Sequence, residues 1–147
     1  MKQMSLIVLV LALLLGASAG DARNTRHQLP IEVALERGDR EGVLNSSIRL
    51  YFGDEEHPAV DTRLGTFTSN KKTNAFGKSD ESACEWAFLG AMKSLQERAV
   101  REGGNAVVNI HSFYFQSKFV SATEYECGAG ATVAGVTMIG EVVKLAE

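Results

Sequence analysis

Residues 79–110 read SDESACEWAFLGAMKSLQERAVREGGNAVVNI, and the apolar period changes part-way through this stretch. Cys84, Phe88, Ala91, Leu95 and Ala99 recur at three- and four-residue spacing, with Ala87 and Met92 beside them. That is one face of an amphipathic helix. Lys93, Glu97, Arg101 and Glu102 fall largely on the rest of its circumference. Ser79 or Asp80 can cap the start, and Asp80 and Glu81 put negative charge where the helix dipole favours it. Ser82-x-x-Glu85 offers an alternative capping box one turn later. Gly103-Gly104 supplies the stop. From Asn105 the period is two: Ala106, Val108 and Ile110 alternate with Val107, Asn109 and His111, as in a strand. The stretch therefore predicts a long helix over 80–102 that passes directly into a sheet.

Further strands are expected on both sides. Downstream, the alternation extends through Phe113 and Phe115, with a tight turn at Gln116-Ser117-Lys118. Phe119–Cys127 reads as a second strand and Thr132–Leu145 as a third. Gly135 and Gly140 interrupt the last, a sign of a bulge or of close approach by the helix. Short links between these strands predict an antiparallel meander. Upstream, Ile48–Phe52 and Arg63–Ser69 read as strands, Asn70–Asn74 as a small basic loop, and residues 31–44 as one or two short helical turns. The expected fold is α+β: an antiparallel sheet of about five strands, one long amphipathic helix packed on it, in the order β-β-α-β-β-β.

The N-terminal residues carry a different signal. Lys2 precedes the apolar run Met4–Leu15, and Ala17-Ser18-Ala19 follows. This pattern predicts a secretory signal peptide over 1–19, cleaved after Ala19, with a run too short to span a bilayer. Residues 20–30 are polar and end in Pro30, so they read as a flexible lead. Residues 31–147 make one domain of ordinary size. The expected location is the periplasm or outside the cell, with no membrane span after cleavage. The net charge of −3, one unit more negative without Lys2, gives no basic stripe for nucleic acid. Cys84 and Cys127 would meet an oxidising compartment, where two thiols tend to pair; two unpaired thiols are the rival reading.

Candidate chemistry is sparse. Gly77-Lys78-Ser79 matches the end of a phosphate-binding loop, but Lys72 stands where its first glycine belongs. An ATP site is therefore rejected. Gly128-x-Gly130 lacks the third glycine of a dinucleotide loop, since position 133 is Val133. Cys84 sits near a helix N-terminus, where a thiol can be activated, but no Cys-x-x-Cys accompanies it. No Gly-x-Ser-x-Gly elbow occurs. Asp54, Glu56, His57 and His111 are weak metal candidates without ligand spacing. Asn45-Ser46-Ser47 fits a glycan acceptor. No cofactor is expected.

Ala99–Val108 (AVREGGNAVV), the continuation Asn109-Ile110-His111-Ser112, and Cys127-Gly128-Ala129-Gly130-Ala131 together resemble the RcsF family of bacterial envelope-stress sensors. More distantly they resemble the YbjQ group of small heavy-metal-binding domains. The resemblance covers roughly residues 80–140. Tyr51-Phe52-Gly53-Asp54, Ser69–Asn74 and Glu124–Cys127 also resemble short exported proteobacterial proteins often labelled "excinuclease ATPase subunit". The incomplete phosphate loop, the missing zinc-ligand pairs and the export signal contradict that label. The sensor family is a lipoprotein with four cysteines in two bridges, in which Cys84 and Cys127 match members of different bridges. A bond between them would be a rearranged pairing.

These readings favour a non-enzymatic periplasmic protein with an interaction or envelope-stress role and an unknown envelope partner. The alternatives are a small-ligand or metal-binding protein and, third, a thiol-redox protein.

Overall fold

The computed structural model describes residues 23–147. The signal peptide expected over 1–19 lies outside the described residues. The chain runs β1 (Thr25–Pro30), α1 (Ile31–Arg40), β2 (Arg49–Phe52), β3 (Val60–Asn74), α2 (Asp80–Glu102), β4 (Ala106–Ser112), a short 3-10 turn (Tyr114–Gln116), β5 (Glu124–Ala129) and β6 (Val133–Leu145). The fold is α+β, but three features differ from the sequence expectation. Among the described residues the sheet has six strands rather than about five. It is mixed rather than purely antiparallel, because β2 pairs parallel to β4. The one or two helical turns expected over 31–44 are a full second helix, α1, before β2.

Helix α2 spans the expected residues. Ser79 Oγ accepts from the Ser82 amide at 3.1 Å, and Gly103 ends the helix in the left-handed region at φ 79°, which glycine adopts without a Cβ clash. Ala83, Cys84, Ala87, Phe88, Ala91, Met92, Leu95 and Ala99 are all buried against the sheet.

Strand β6 is the centre of the sheet. One of its edges takes β3 from Asn74↔Val133 to Val60↔Leu145. Its other edge is divided between β5, at Gly128↔Gly135 and Ala129↔Ala134, and β4, from Ser112↔Met138 to Ala106↔Val143. The last three strands are therefore not a simple meander. The chain between β4 and β5 crosses at the 3-10 turn, and β4 and β5 both pair with β6. Side chains alternate along β6: Ala134, Val136, Met138 and Val142 join the main core under α2, whereas Val143 and Leu145 join a smaller cluster with Ala106 and Val108.

Two other expectations are corrected. The lead expected over 20–30 is, at Thr25–Pro30, an edge strand paired antiparallel with β5 from Thr25↔Ala129 to Pro30↔Glu124. Its polar side chains mark an edge strand, half of which faces water, and the short polar run hides that alternation. The basic loop expected at Asn70–Asn74 is the continuation of β3. Its lysines are exposed on an edge strand, where charge is a common device against unwanted pairing.

Gly140 explains the interruption seen in β6. A Cβ there would lie 2.5 Å from Val107 Cγ1 and 3.4 Å from Leu95 Cδ1, so the residue lets α2 and β4 close on the central strand. Gly140→Val is expected to lower stability by about 1–3 kcal/mol through overpacking. Urea unfolding should show an earlier midpoint with an unchanged m-value.

Candidate functional site

The cap of α2 anchors the N-terminal strand. Asp80 accepts two bonds from Arg23, at 2.8 and 3.0 Å, and its Oδ2 lies 2.8 Å from His27 Nε2. The Arg23 guanidinium, followed by the His27 bond, holds the Asp80 carboxyl down at about 2. One carboxylate at a helix start therefore fastens β1 to α2. One turn along, Ser82 and Glu85 are not a capping box, because Ser79 already caps the helix. Both instead receive Arg37 of α1. Its Nε lies 2.9 Å from Glu85 Oε2 and its Nη1 donates to Ser82 Oγ at 3.0 Å. The guanidinium also lies over the Trp86 ring.

Cys84 and Cys127 form a disulfide with Cα atoms 5.9 Å apart. Both residues are fully buried, so the bond staples α2 to β5 and presents neither sulfur to solvent. Closing the intervening loop is worth roughly 2–4 kcal/mol through the unfolded state. Tyr125, two residues before Cys127 on the same face of β5, stacks on Phe88 at 4.3 Å between ring centroids. Its hydroxyl is buried without a hydrogen-bond partner among the described residues. Burial pushes the Tyr125 phenol up, the Glu85 carboxylate adds to this, and Arg37 opposes it.

The weak metal candidates do not assemble. His57 Nδ1 donates to the Pro58 carbonyl at 2.8 Å and its ring stands edge-on to Tyr51. Asp54 and Glu56 are both exposed in the same loop, and it is the Glu55 carboxylate that accepts from the Phe52 amide. His111 lies on β4 beside a bulge, where Asn109 adopts φ 51° and its carbonyl accepts from His111 Nδ1 at 2.8 Å. Among the described residues no group of three or more His, Cys, Asp or Glu converges.

The structure brings together a different set of residues. A groove of about 590 Å³ opens at the Val133–Thr137 end of β6. Its floor is the ladder in which Asn70 faces Thr137 and Lys72 faces Gly135, with Thr68 one step along. Phe113, Tyr114, Phe115 and Gln116 form one wall, and Arg23 and Asn24 close an end. The wall is held in an unusual conformation. Phe115 and Gln116 are consecutive non-glycine residues at φ 49° and 59°, a strained arrangement that persists only where surrounding contacts impose it. Tyr114 supplies them: its hydroxyl donates to Asn24 Oδ1 at 3.2 Å, Arg26 lies over its ring, and it sits where a Cβ on Gly128 would be, 1.8 Å from its oxygen. Phe115 is left 69% exposed.

Of the groove residues, the sequence drew attention to Gly128 and Gly130, as an incomplete dinucleotide loop, and to Lys72, as part of a small basic loop, and assigned no site to any of them. The alternation Thr66-Thr68-Asn70-Lys72 was available as a signal, but it was divided between a strand and an expected loop. Arg23 and Asn24 fell in the expected lead.

Two outcomes follow from this geometry. Asp80 has a depressed pKa in the folded state, so its contribution is complete above the ordinary carboxylate range, near pH 4, and is lost as pH falls toward about 2. Asp80→Asn should be less stable than the parent at pH 7, and the gap should narrow between about pH 4 and 2, followed by denaturant melts across that range. Tyr125→Phe removes an unpartnered buried hydroxyl, so its thermal midpoint should be unchanged or raised.

Comparisons with protein-family models, with curated proteins and with solved structures find no match to this chain.

Proposed function

We propose that this chain is a non-catalytic binding domain of the periplasm or another extracytoplasmic space, acting by interaction at the envelope, with an envelope-stress role as its setting. The observation that carries this reading is the groove on β3 and β6. It is lined by amide and hydroxyl side chains, two cations and an exposed aromatic ring. Such groups bind and orient a partner. A few placed polar groups beside an aromatic wall, in a volume of this size, are the usual makings of a ligand site. The buried disulfide supports the compartment, because such bonds persist where the medium is oxidising. No helix among the described residues is long and apolar enough to cross a membrane.

The groove also favours the small-ligand alternative over the metal one, since its lining among the described residues has no carboxylate, imidazole or thiolate. The α2 cap and the Gly77 turn serve folding, so an ATPase or DNA-repair role is not part of the proposal.

Site-specific photocrosslinking in cells that export the protein tests the reading. A crosslinker at Asn70, on the groove floor, should give a discrete adduct. One at Lys93, exposed on α2 and paired with Glu97, should give none. Equal adducts at both positions, or none at Asn70, would remove the groove as the working surface.

A further inference from the structure

We infer that the groove takes a sugar ring bearing a carboxylate, with Lys72 as the anion contact and Phe115 as the stacking platform. This rests on the reading of the groove as a binding surface and adds the class of ligand.

Charge comes first. The lining holds Arg23 and Lys72 and, among the described residues, no Asp or Glu. Arg23 is committed to Asp80 by two hydrogen bonds, so its charge is largely answered. Lys72 makes no ion pair among the described residues and is exposed on the floor. A single uncommitted ammonium selects one anionic group. Nucleic acid is recognised by several cations along a backbone, so this lining does not fit it.

The floor itself, between β3 and β6, then offers no place for strand addition by an extended peptide, which would have to use the outer edge of β3 instead. Strand addition needs free backbone donors and acceptors. Beneath the groove the β3–β6 register is unbroken from Thr66↔Glu141 to Asn74↔Val133, so the backbone groups facing one another there are already paired. What remains above the floor is side-chain chemistry: the Thr68 and Thr137 hydroxyls and the Asn70 amide. Each hydroxyl and amide both donates and accepts. A ring of hydroxyl groups, which also donate and accept, matches such a floor.

Phe115 supplies the third element. Its backbone is strained and its ring is left in water, a combination that points from an observed outlier to a function. The face of an aromatic ring carries partial negative charge. It attracts the weakly positive C–H face of a sugar while the sugar's hydroxyls turn to the polar floor. The volume of about 590 Å³ accommodates one or two rings.

The test is a titration of the isotope-labelled intact protein, followed by amide NMR, with digalacturonate, with the neutral disaccharide lactose, and with an acidic tetrapeptide. Digalacturonate should give saturable shifts centred on Asn70, Lys72, Phe115 and Thr137. Lactose should bind about tenfold more weakly, the difference expected for one charge-assisted contact. Lys72→Ala should erase that difference between the two sugars, and Phe115→Ala should weaken both. Lys93→Ala should change neither. The spectrum of each variant, compared with that of the parent, reports whether its fold is retained, and Lys72→Gln replaces any variant that is not folded. Equal binding of the two sugars, stronger binding of the tetrapeptide, or no saturable shift at these residues would overturn the inference. If crosslinks form at Asn70 while digalacturonate fails to bind, the ligand class falls and the binding surface stands. If both fail, both fall.

Discussion

The structure depends on a single strand having to serve three partners. β6 gives the whole of one edge to β3 and divides the other between β4 and β5. Everything that flanks the sheet follows from that division. Among the described residues β2 reaches the sheet only through β4, and β1 only through β5. Loss of order in β6 would part β3, the β2–β4 pair and the β1–β5 pair from one another. Its face toward α2 is correspondingly dense, with Ala134, Val136, Met138 and Val142 fully or almost fully buried and a glycine where bulk would intrude.

β4 and β5 share no backbone ladder with each other, so side chains join the pieces. Asn105, at the exit from α2, exchanges two bonds with the Leu145 backbone and prolongs the ladder past the end of β4. Gln96, buried on α2, bonds the carbonyls of Asn45 and Ile48 and the Asn45 amide, fixing the turn that delivers β2. Ser112 Oγ accepts from the Glu126 amide and so links the separated β4 and β5. Buried amides with every partner supplied hold a unique geometry, because leaving one unsatisfied is costly.

The long helix was legible in the sequence to the residue, since its apolar stripe, its serine cap and its glycine stop all agree. Strands β4 and β6 were legible for the same reason: periodicity reports burial, although the alternation carried on to Phe113 and Phe115 ends at Ser112, and the strand expected over Phe119–Cys127 is Glu124–Ala129. Strand β1 and the second half of β3 were not legible, because both lie at the sheet's edge and carry polar side chains on their exposed positions. Parallel pairing of β2 with β4 was invisible because it joins segments separated by β3 and α2, and no local pattern encodes that. Cysteine pairing was expected from the count and from the expected export, whereas Ser82 and Glu85 were misread because a capping pattern and an inter-helix ion pair use the same residue types. The groove was missed for a topological reason. Its floor, wall and end come from four separate parts of the chain, and they reach one place only through the pairing of β3 and β5 on β6, of β1 on β5, and the Tyr114–Asn24 bond.

The pairing of β1 with β5 sets an order of events. A chain made or threaded N-terminus first presents Thr25–Pro30 at the outset, yet its partner arrives about a hundred residues later. The first strand to emerge is among the last that can find its place, and through Arg23 and Asn24 it brings one end of the groove with it. Completion of the groove thus requires that the chain through β6 has arrived and folded. A truncated or stalled chain would lack it even with α2 already formed.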